Sequence, residues 1–241
     1  MKKLVLIALS AFAVSCNGII GNGYKISGEI KGMPDGTMVF LEKQGETAAS
    51  GIIGVDTTVV KEGKFEFEGK AEEPLMHRVR FDQIGGFMMI LEKGNIDVKA
   101  LKDSLGMAKV TGTYNNDELQ KYNKNLLAIQ KKMMAFENQN IKIFEEAQAK
   151  KDTATIEKLR VQYMKFNDEI VESNKTYAEK NPKSFLSLLI IQGMFANPQA
   201  DIVKIKKYFD NLDSDVKETS TGKKLKKQIE DFEKASQGKK K

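Results

Sequence analysis

The hydrophobic period of this chain changes once, near Asn115-Asn116-Asp117, and that change limits the folds open to it. Upstream, apolar and polar residues alternate in short runs, as from Tyr24 to Ile30, which is typical of half-buried strands. Downstream, apolar residues recur every three or four positions from Leu119 to Phe136, which is typical of an amphipathic helix. The sequence therefore predicts an α+β fold, with a β part followed by an α part.

The upstream part contains about eight short strand patterns separated by turn residues. Met33-Pro34-Asp35-Gly36, Glu62-Gly63 and Lys93-Gly94 each place glycine where a turn needs a positive φ. The predicted strands begin near Tyr24, Thr37, Val55, Lys64, Leu75, Phe87, Asn95 and Lys109. This spacing predicts an N-terminal antiparallel β sandwich or barrel-like domain over residues 24–114.

The downstream part, residues 115–237, is predicted to be an all-α domain with a long helical hairpin. Two apolar stripes, from Leu119 to Phe136 and from Ile156 to Tyr177, predict two long helices that pack antiparallel. Asp152-Thr153 has the chemistry of a helix cap, and Pro182 disfavours helix at the residue before it. The second helix is therefore expected to begin near Thr153 and to end near Asn181.

Three further helices are expected after the hairpin. Ser184 to Phe195 is almost uniformly apolar and predicts the most buried helix. Asn197-Pro198 predicts the start of the next helix, because proline is tolerated in a first turn. A last amphipathic helix is predicted from about Thr221 to Ala235, followed by a disordered basic tail at residues 238–241.

The N-terminus has the pattern of an export signal. Lys2 and Lys3 precede an apolar run from Leu4 to Val14, and the small residue Ser15 precedes Cys16. A membrane-spanning helix needs about 20 apolar residues, which this run does not supply. The prediction is a signal peptide at residues 1–15 and a tether at residues 16–23.

Val14-Ser15-Cys16 resembles the lipobox that ends the signal of bacterial lipoproteins. The resemblance implies that cleavage falls before Cys16, that its thiol carries a diacylglyceryl group and that its amine is acylated. Two or three chains are needed for stable anchoring to a membrane. The tether has no acidic residue next to Cys16, which in related bacteria implies a periplasm-facing position. We therefore expect a lipid-anchored cell-envelope protein at the outer membrane, facing the periplasm.

Several stretches of the β part resemble a known module. They are Tyr24–Gly32, Val39–Glu42, Val55–Gly69, Glu73–Leu75 and Val110–Asn115. These stretches are similar to the N-terminal domain of unknown function 4369 found in lipoproteins of the Bacteroidota. There the domain usually precedes a thioredoxin-like domain of the thiol–disulfide oxidoreductase or peroxiredoxin-like type.

The helical part extends this resemblance, and it also marks a departure. Asn181–Ser184 and Gly222–Ile229 resemble the helical region that follows the β domain in those proteins. The thioredoxin-like domain would then follow, but the sequence ends at Lys241 and contains one cysteine. A Cys-x-x-Cys redox pair needs two cysteines. The resemblance therefore implies a non-catalytic front half, and no catalytic residue of the family carries over to this chain.

The remaining candidates for chemistry are few. His77 is the only histidine, whereas a zinc-type site needs several ligands, so His77 is predicted to be half-buried in its strand. The paired carboxylates Glu72-Glu73 and Asp213 with Asp215 fall in turns and cap-like places. Phe87–Ile90 and Met133-Met134 are predicted to pack in the core. We predict no catalytic, cofactor or metal site, and Cys16 is the one predicted site residue.

Charge and composition limit the partners. The net charge is +6, but the 39 basic and 33 acidic residues are interleaved along the helices, which is typical of solvated faces. We therefore expect no nucleic acid partner. The predicted function is a non-enzymatic envelope protein that binds a protein or peptide, or has a structural role. Two alternatives stay open: an accessory or truncated thioredoxin-like oxidoreductase, and a small-ligand carrier that uses a cavity in the β domain.

Overall fold

The structure is a computed structural model that describes residues 21–45, 50–197 and 200–238. The strands are β1 (Gly23–Lys31), β2 (Met38–Gln44), β3 (Ile52–Val59), β4 (Lys64–Lys70), β5 (Leu75–Phe81), β6 (Gly85–Leu91), β7 (Gly94–Leu101) and β8 (Lys109–Thr111). The helices are α1 (Tyr114–Ala149), α2 (Thr153–Lys180), α3 (Phe185–Phe195), α4 (Ile202–Asp210), α5 (Ser214–Lys217) and α6 (Ser220–Gly238). The predicted α+β fold, with its sandwich and its long helical hairpin, is confirmed.

The strands form two four-stranded sheets, in the orders β4-β1-β7-β8 and β3-β2-β5-β6. Neighbouring strands are antiparallel except for β1 and β7, which pair in parallel with Ile26 opposite Ile96. The predicted antiparallel arrangement therefore holds for every neighbouring pair of strands except this one. The reason is topological: strands β2 to β6, which include all four strands of the second sheet, lie between β1 and β7 in the sequence, and a long connection of this kind can return the chain in its starting direction.

Aromatic and β-branched side chains fill the space between the sheets. Phe81 has no exposed surface, and its ring meets that of Phe65 edge to face at 5.4 Å. Gly28 permits this packing, because a Cβ at that position would lie 2.0 Å from the Phe65 ring. The predicted hairpin turn at Glu62-Gly63 is confirmed, with positive φ at both residues, +52° and +71°.

Local capping chemistry sets the start of most helices. The carboxylate of Asp152 accepts a hydrogen bond from the Thr155 N–H at 3.1 Å, as the sequence predicted for α2. Ser184 caps α3, six of whose residues are buried. The predicted start of α4 at Asn197-Pro198 is wrong: the helix begins at Ile202, where Asp201 accepts from the Lys204 N–H at 3.2 Å.

Some predictions concern residues outside the described part of the chain. Pro198, the signal segment 1–15, Cys16 and tether residues 17–20 all lie there. Of the predicted tail, Gly238 belongs to α6, and residues 239–241 are outside the described ranges. Within those ranges, none of the helices has both the length and the apolar content required to cross a membrane.

Buried polar side chains join the sandwich to the helices. The Asn116 side chain accepts from the Ile90 N–H at 3.0 Å and donates to the Ile90 carbonyl at 2.7 Å, in strand β6. Asn115 donates its backbone N–H to Glu92 at 2.8 Å and its side-chain amide to the same carboxylate at 2.6 Å. The Asn115 side chain also accepts from the Phe185 N–H at 2.8 Å. Because buried hydrogen bonds of this kind specify geometry, the base of α1 has a fixed direction relative to the sandwich.

Candidate binding surface on the helical hairpin

His77 is a buried strand residue. It is 5% exposed, on the same face of β5 as Val79 and Phe81, and its Nδ1 lies 3.0 Å from the carbonyl oxygen of Leu75. The prediction of a half-buried residue therefore underestimated the burial of His77. Burial lowers the pKa of the imidazole below its ordinary value, because charging it there costs hydration.

The paired carboxylates stabilise turns and helix starts. Glu72 accepts from the Asn22 side-chain amide at 2.7 Å. Glu73 accepts from the Ser220 N–H at 2.7 Å, at the start of α6, and Asp213 caps α5 through the Asp215 N–H at 3.0 Å. Across the described residues, no three His, Cys, Asp or Glu side chains are grouped in a way that could hold a metal ion.

The most unusual surface is the far part of the α1–α2 hairpin, residues 126–171, which we call the arm. With 36 residues, α1 is about 54 Å long. Of the 46 arm residues, all of which are described, only Ile129 and Ala147 are buried. The arm therefore consists of two helices whose contact seam remains half open to solvent.

Polar contacts hold the base of the arm to the rest of the α part. The Tyr177 hydroxyl donates to Glu118 at 3.0 Å and lies 3.1 Å from the Ser184 hydroxyl. Partial burial raises the pKa of Tyr177 well above its ordinary value, so the phenol stays neutral and remains a donor. Tyr122 on α1 donates to Asn174 on α2, and the rings of Tyr122 and Tyr177 pack edge to face at 5.4 Å.

Cross-helix contacts become sparse towards the tip. Asn125 donates to Ser173 at 2.7 Å, and Lys132 pairs with Glu169 at 2.8 Å. The rings of Phe136 and Phe166 follow, 5.7 Å apart. In the remainder of the arm, which is fully described, no side-chain hydrogen bond joins α1 to α2. The tip is held by apolar contacts and by the turn that joins the helices.

The two faces of the hairpin differ in chemistry. One face has a groove of about 740 Å³ whose lining includes Lys121, Lys165, Asp168, Glu169 and Glu172. The other face has a cavity of about 590 Å³ near the tip. Its apolar lining consists of Phe136, Ile141, Phe144, Ile156, Leu159 and Tyr163. We call the second surface the apolar face of the arm.

The apolar face continues from the tip towards the base. Arg160 lines the tip cavity, and its guanidinium lies 3.4 Å from the sulfur of Met164, which is 45% exposed. Val171 is seven residues, or about two turns, further along α2 and therefore lies on the same side of the helix. It lines a third cavity, of about 570 Å³, with Ile190 and Tyr208 of α3 and α4.

The sequence interpretation missed this surface. The stripes that predicted the hairpin are its inner seam, whereas Ile141, Met164 and Val171 lie beside that seam. The signal was available, because Met134 and Ile141, like Met164 and Val171, are seven residues apart. Met134 is 60% exposed, so its assignment to the core was wrong.

The prediction that Phe87–Ile90 packs in the core is correct for three of its four residues. Phe87, Met89 and Ile90 are buried, as expected for the core, whereas Met88 is 53% exposed on the outer face of β6. The alternation explains the difference: Phe87 and Met89 point between the sheets, and Ile90 points outwards into the second hydrophobic cluster, under the helices.

Comparison with known protein families gives one match. Residues 24–119 match the family described as Domain of unknown function (DUF4369), which confirms the resemblance over that range. The matched range covers all eight strands and ends at Leu119 in the first turns of α1, so the arm lies outside it. No curated protein matches the chain.

Proposed function

We propose that this chain, whose residues 24–119 form a DUF4369 domain, is a lipid-anchored envelope protein that binds a protein partner through the apolar face of its arm. One observation carries the proposal: Ile141, Met164 and Val171 are 56%, 45% and 47% exposed along one side of the hairpin. Large contiguous apolar surface on a soluble protein typically marks an interaction site.

An amphipathic helix is the partner element that this face fits best. Two helices already lie side by side, and a third helix would complete a bundle in which the half-open seam becomes core. Covering a large apolar side chain contributes about 1.5–3 kcal/mol before the costs of association are subtracted. The exposed side chains of Ile141, Met164 and Val171 would therefore supply the apolar part of the binding free energy.

The anchor part of the proposal rests on the lipobox-like Val14-Ser15-Cys16. Acyl chains on Cys16 would hold the body at the membrane, with the sandwich following the tether directly at Gly23. The arm would then present its apolar face at a fixed direction from the sandwich, because buried hydrogen bonds of Asn115 and Asn116 hold its base.

Metabolic labelling with an alkyne fatty acid in a lipoprotein-competent bacterial host tests the anchor. The wild-type chain should carry the label and fractionate with membranes, and Cys16→Ser should lose both properties. Ser15→Ala, which keeps a small residue before the cysteine, is the matched control and should retain the label. Equal labelling of Cys16→Ser and wild type would contradict the anchor.

Site-specific photo-crosslinking tests the binding face. A photoreactive residue in place of Ile141 should give a discrete protein adduct in intact cells, whereas one in place of Lys165, on the polar face, should not. Met164→Glu, one helix away, should abolish the Ile141 adduct while leaving the circular dichroism unchanged. Equal adducts from both faces, or none from Ile141, would contradict the proposal.

A further inference from the structure

One side of α1 in the arm carries a stripe whose chemistry complements that of a second, reversed copy of itself. Its five residues are Lys131, Met134, Asn138, Ile141 and Glu145, spaced three, four, three and four apart. This spacing places them in one row on the helix surface. In order, they are a base, an apolar residue, an amide, an apolar residue and an acid.

The whole stripe is open to solvent. Met134 is 60% exposed and Ile141 is 56% exposed, and the three polar members are exposed as well. The side chains of Lys131 and Glu145 have no hydrogen bond or ion pair to any described residue. Their sequence neighbours differ: Lys132 pairs with Glu169 at 2.8 Å, and Glu146 lies 3.6 Å from Lys150.

We propose that the occupant of this stripe is a second copy of the chain, with the two α1 helices antiparallel and a two-fold axis at Asn138. The inference rests on the proposed function, since it names the partner of the arm. The axis brings Lys131 of each copy opposite Glu145 of the other. It also brings Met134 of each copy to within one residue, about 1.5 Å along the helix, of the level of Ile141 of the other. The ion pair and the apolar contact then each occur twice, as an isologous interface requires.

Charge decides the orientation. In a parallel arrangement in the same register, Lys131 would meet its own copy and Glu145 would do the same, so both ends would repel. Exposed ion pairs add little affinity, and the apolar side chains supply most of it. Complementary charges instead select partner and orientation, because like charges placed together are costly.

The geometry of the stripe suits a helix pair. Lys131 to Glu145 spans 14 residues, about 21 Å, over which antiparallel helices at a shallow crossing angle stay in contact. Ile141 also lines the tip cavity, so the second copy covers the α1 side of that cavity. Pairing thus covers surface that the isolated arm leaves exposed.

Charge reversal tests the inference on the full chain, purified in detergent, with the protein mass measured by light scattering and sedimentation. Wild type should be dimeric, and Lys131→Glu or Glu145→Lys alone should raise the dimer dissociation constant at least tenfold. The double variant should return to the wild-type constant. Lys158→Glu, the same charge change on exposed α2 surface away from the stripe, is the control and should remain dimeric.

Mixing the two single variants gives the sharpest readout. Lys131→Glu carries two acids on the stripe and Glu145→Lys carries two bases, so an equal mixture should form heterodimers although neither variant pairs with itself. A wild-type chain that stays monomeric at all concentrations, or a mixture of folded variants that does not pair, overturns the inference. If the wild type is monomeric and Ile141 still crosslinks to a different protein, this inference fails and the proposed function stands.

Discussion

The sandwich and the arm use similar apolar side chains with opposite results. In the sandwich, each sheet covers the inner face of the other, so residues such as Phe81 and Val98 are at most 1% exposed. Along most of the arm, each helix packs against only one other helix, and of the arm residues only Ile129 and Ala147 are buried. The difference shows that the sandwich supplies its own second layer, whereas the arm lacks a further layer that would cover its exposed apolar side chains.

The boundary between the two regions is the polar junction. Asn116 is fully buried and bonded to both backbone groups of Ile90, and Asn115 bridges Glu92 and Phe185. Helix α1 therefore begins in a rigid setting and becomes exposed after about three turns. The following substitutions test how far the two regions differ, from the largest expected effect to the smallest.

The largest effect is expected for Phe81→Ala in the sandwich. Phe81 is fully buried between the sheets, so truncation should lower the free energy of unfolding by about 3–5 kcal/mol. Urea denaturation followed by circular dichroism measures this change. The matched control is Phe144→Ala in the arm, where the ring is 39% exposed and the loss should be about 1 kcal/mol or less. Equal losses would remove the distinction between the regions.

An intermediate effect is expected at the junction for Asn116→Ala. The substitution leaves the buried N–H and carbonyl of Ile90 without partners, and each unsatisfied group costs about 1–3 kcal/mol. The free energy of unfolding should therefore fall by about 2–4 kcal/mol. Asn123→Ala, on exposed surface of the same helix, should change it by less than about 0.5 kcal/mol. If both variants unfold like wild type, the junction does not hold the base of α1.

The smallest effect is a pH dependence confined to the sandwich. Burial lowers the pKa of His77 in the folded state. The folded state therefore keeps its full stability above the pKa of the unfolded state, near 6.5, and loses stability as the pH falls towards the lower pKa of the folded state. Between about pH 7 and pH 5, the free energy of unfolding should fall by at most about 1.4 kcal/mol per pH unit. His77→Gln should flatten this slope, since the chain has no other histidine. If the slope is unchanged in the variant, the pH dependence of the free energy of unfolding arises from groups other than His77.

Elements set by nearby residues could be predicted from the sequence. Glycine in the turn at Glu62-Gly63 and the aspartate cap of α2 depend on neighbours within four residues, and both are confirmed. Alternation also predicted the inward face of β5, with His77 beside Val79. Local chemistry therefore carried most of the element assignment, including the change of period near Asn115.

Features set by distant residues could not be predicted in this way. The parallel pairing of β1 with β7 depends on where the intervening strands go, which no local pattern records. One local feature was also predicted wrongly: the start of α4 was placed at Asn197-Pro198, whereas the Asp201 cap directly before the apolar stripe sets it. The apolar face was not predicted, because one apolar stripe on each helix already accounts for the contact between α1 and α2. Met164 and Val171 do repeat at a spacing of seven residues, but this spacing alone does not show that both side chains are exposed.

The parallel ladder also sets the order in which the chain can become structured. Tyr24 pairs with Gly94, 70 positions later, so β1 stays open on one side until β7 has been synthesised. Loop closure over such a distance must precede the contacts that stabilise it, which slows folding. The first strand of the domain therefore completes its pairing late. It can pair with β4 once residues 64–70 are available, but its pairing with β7 needs nearly all of the matched family region.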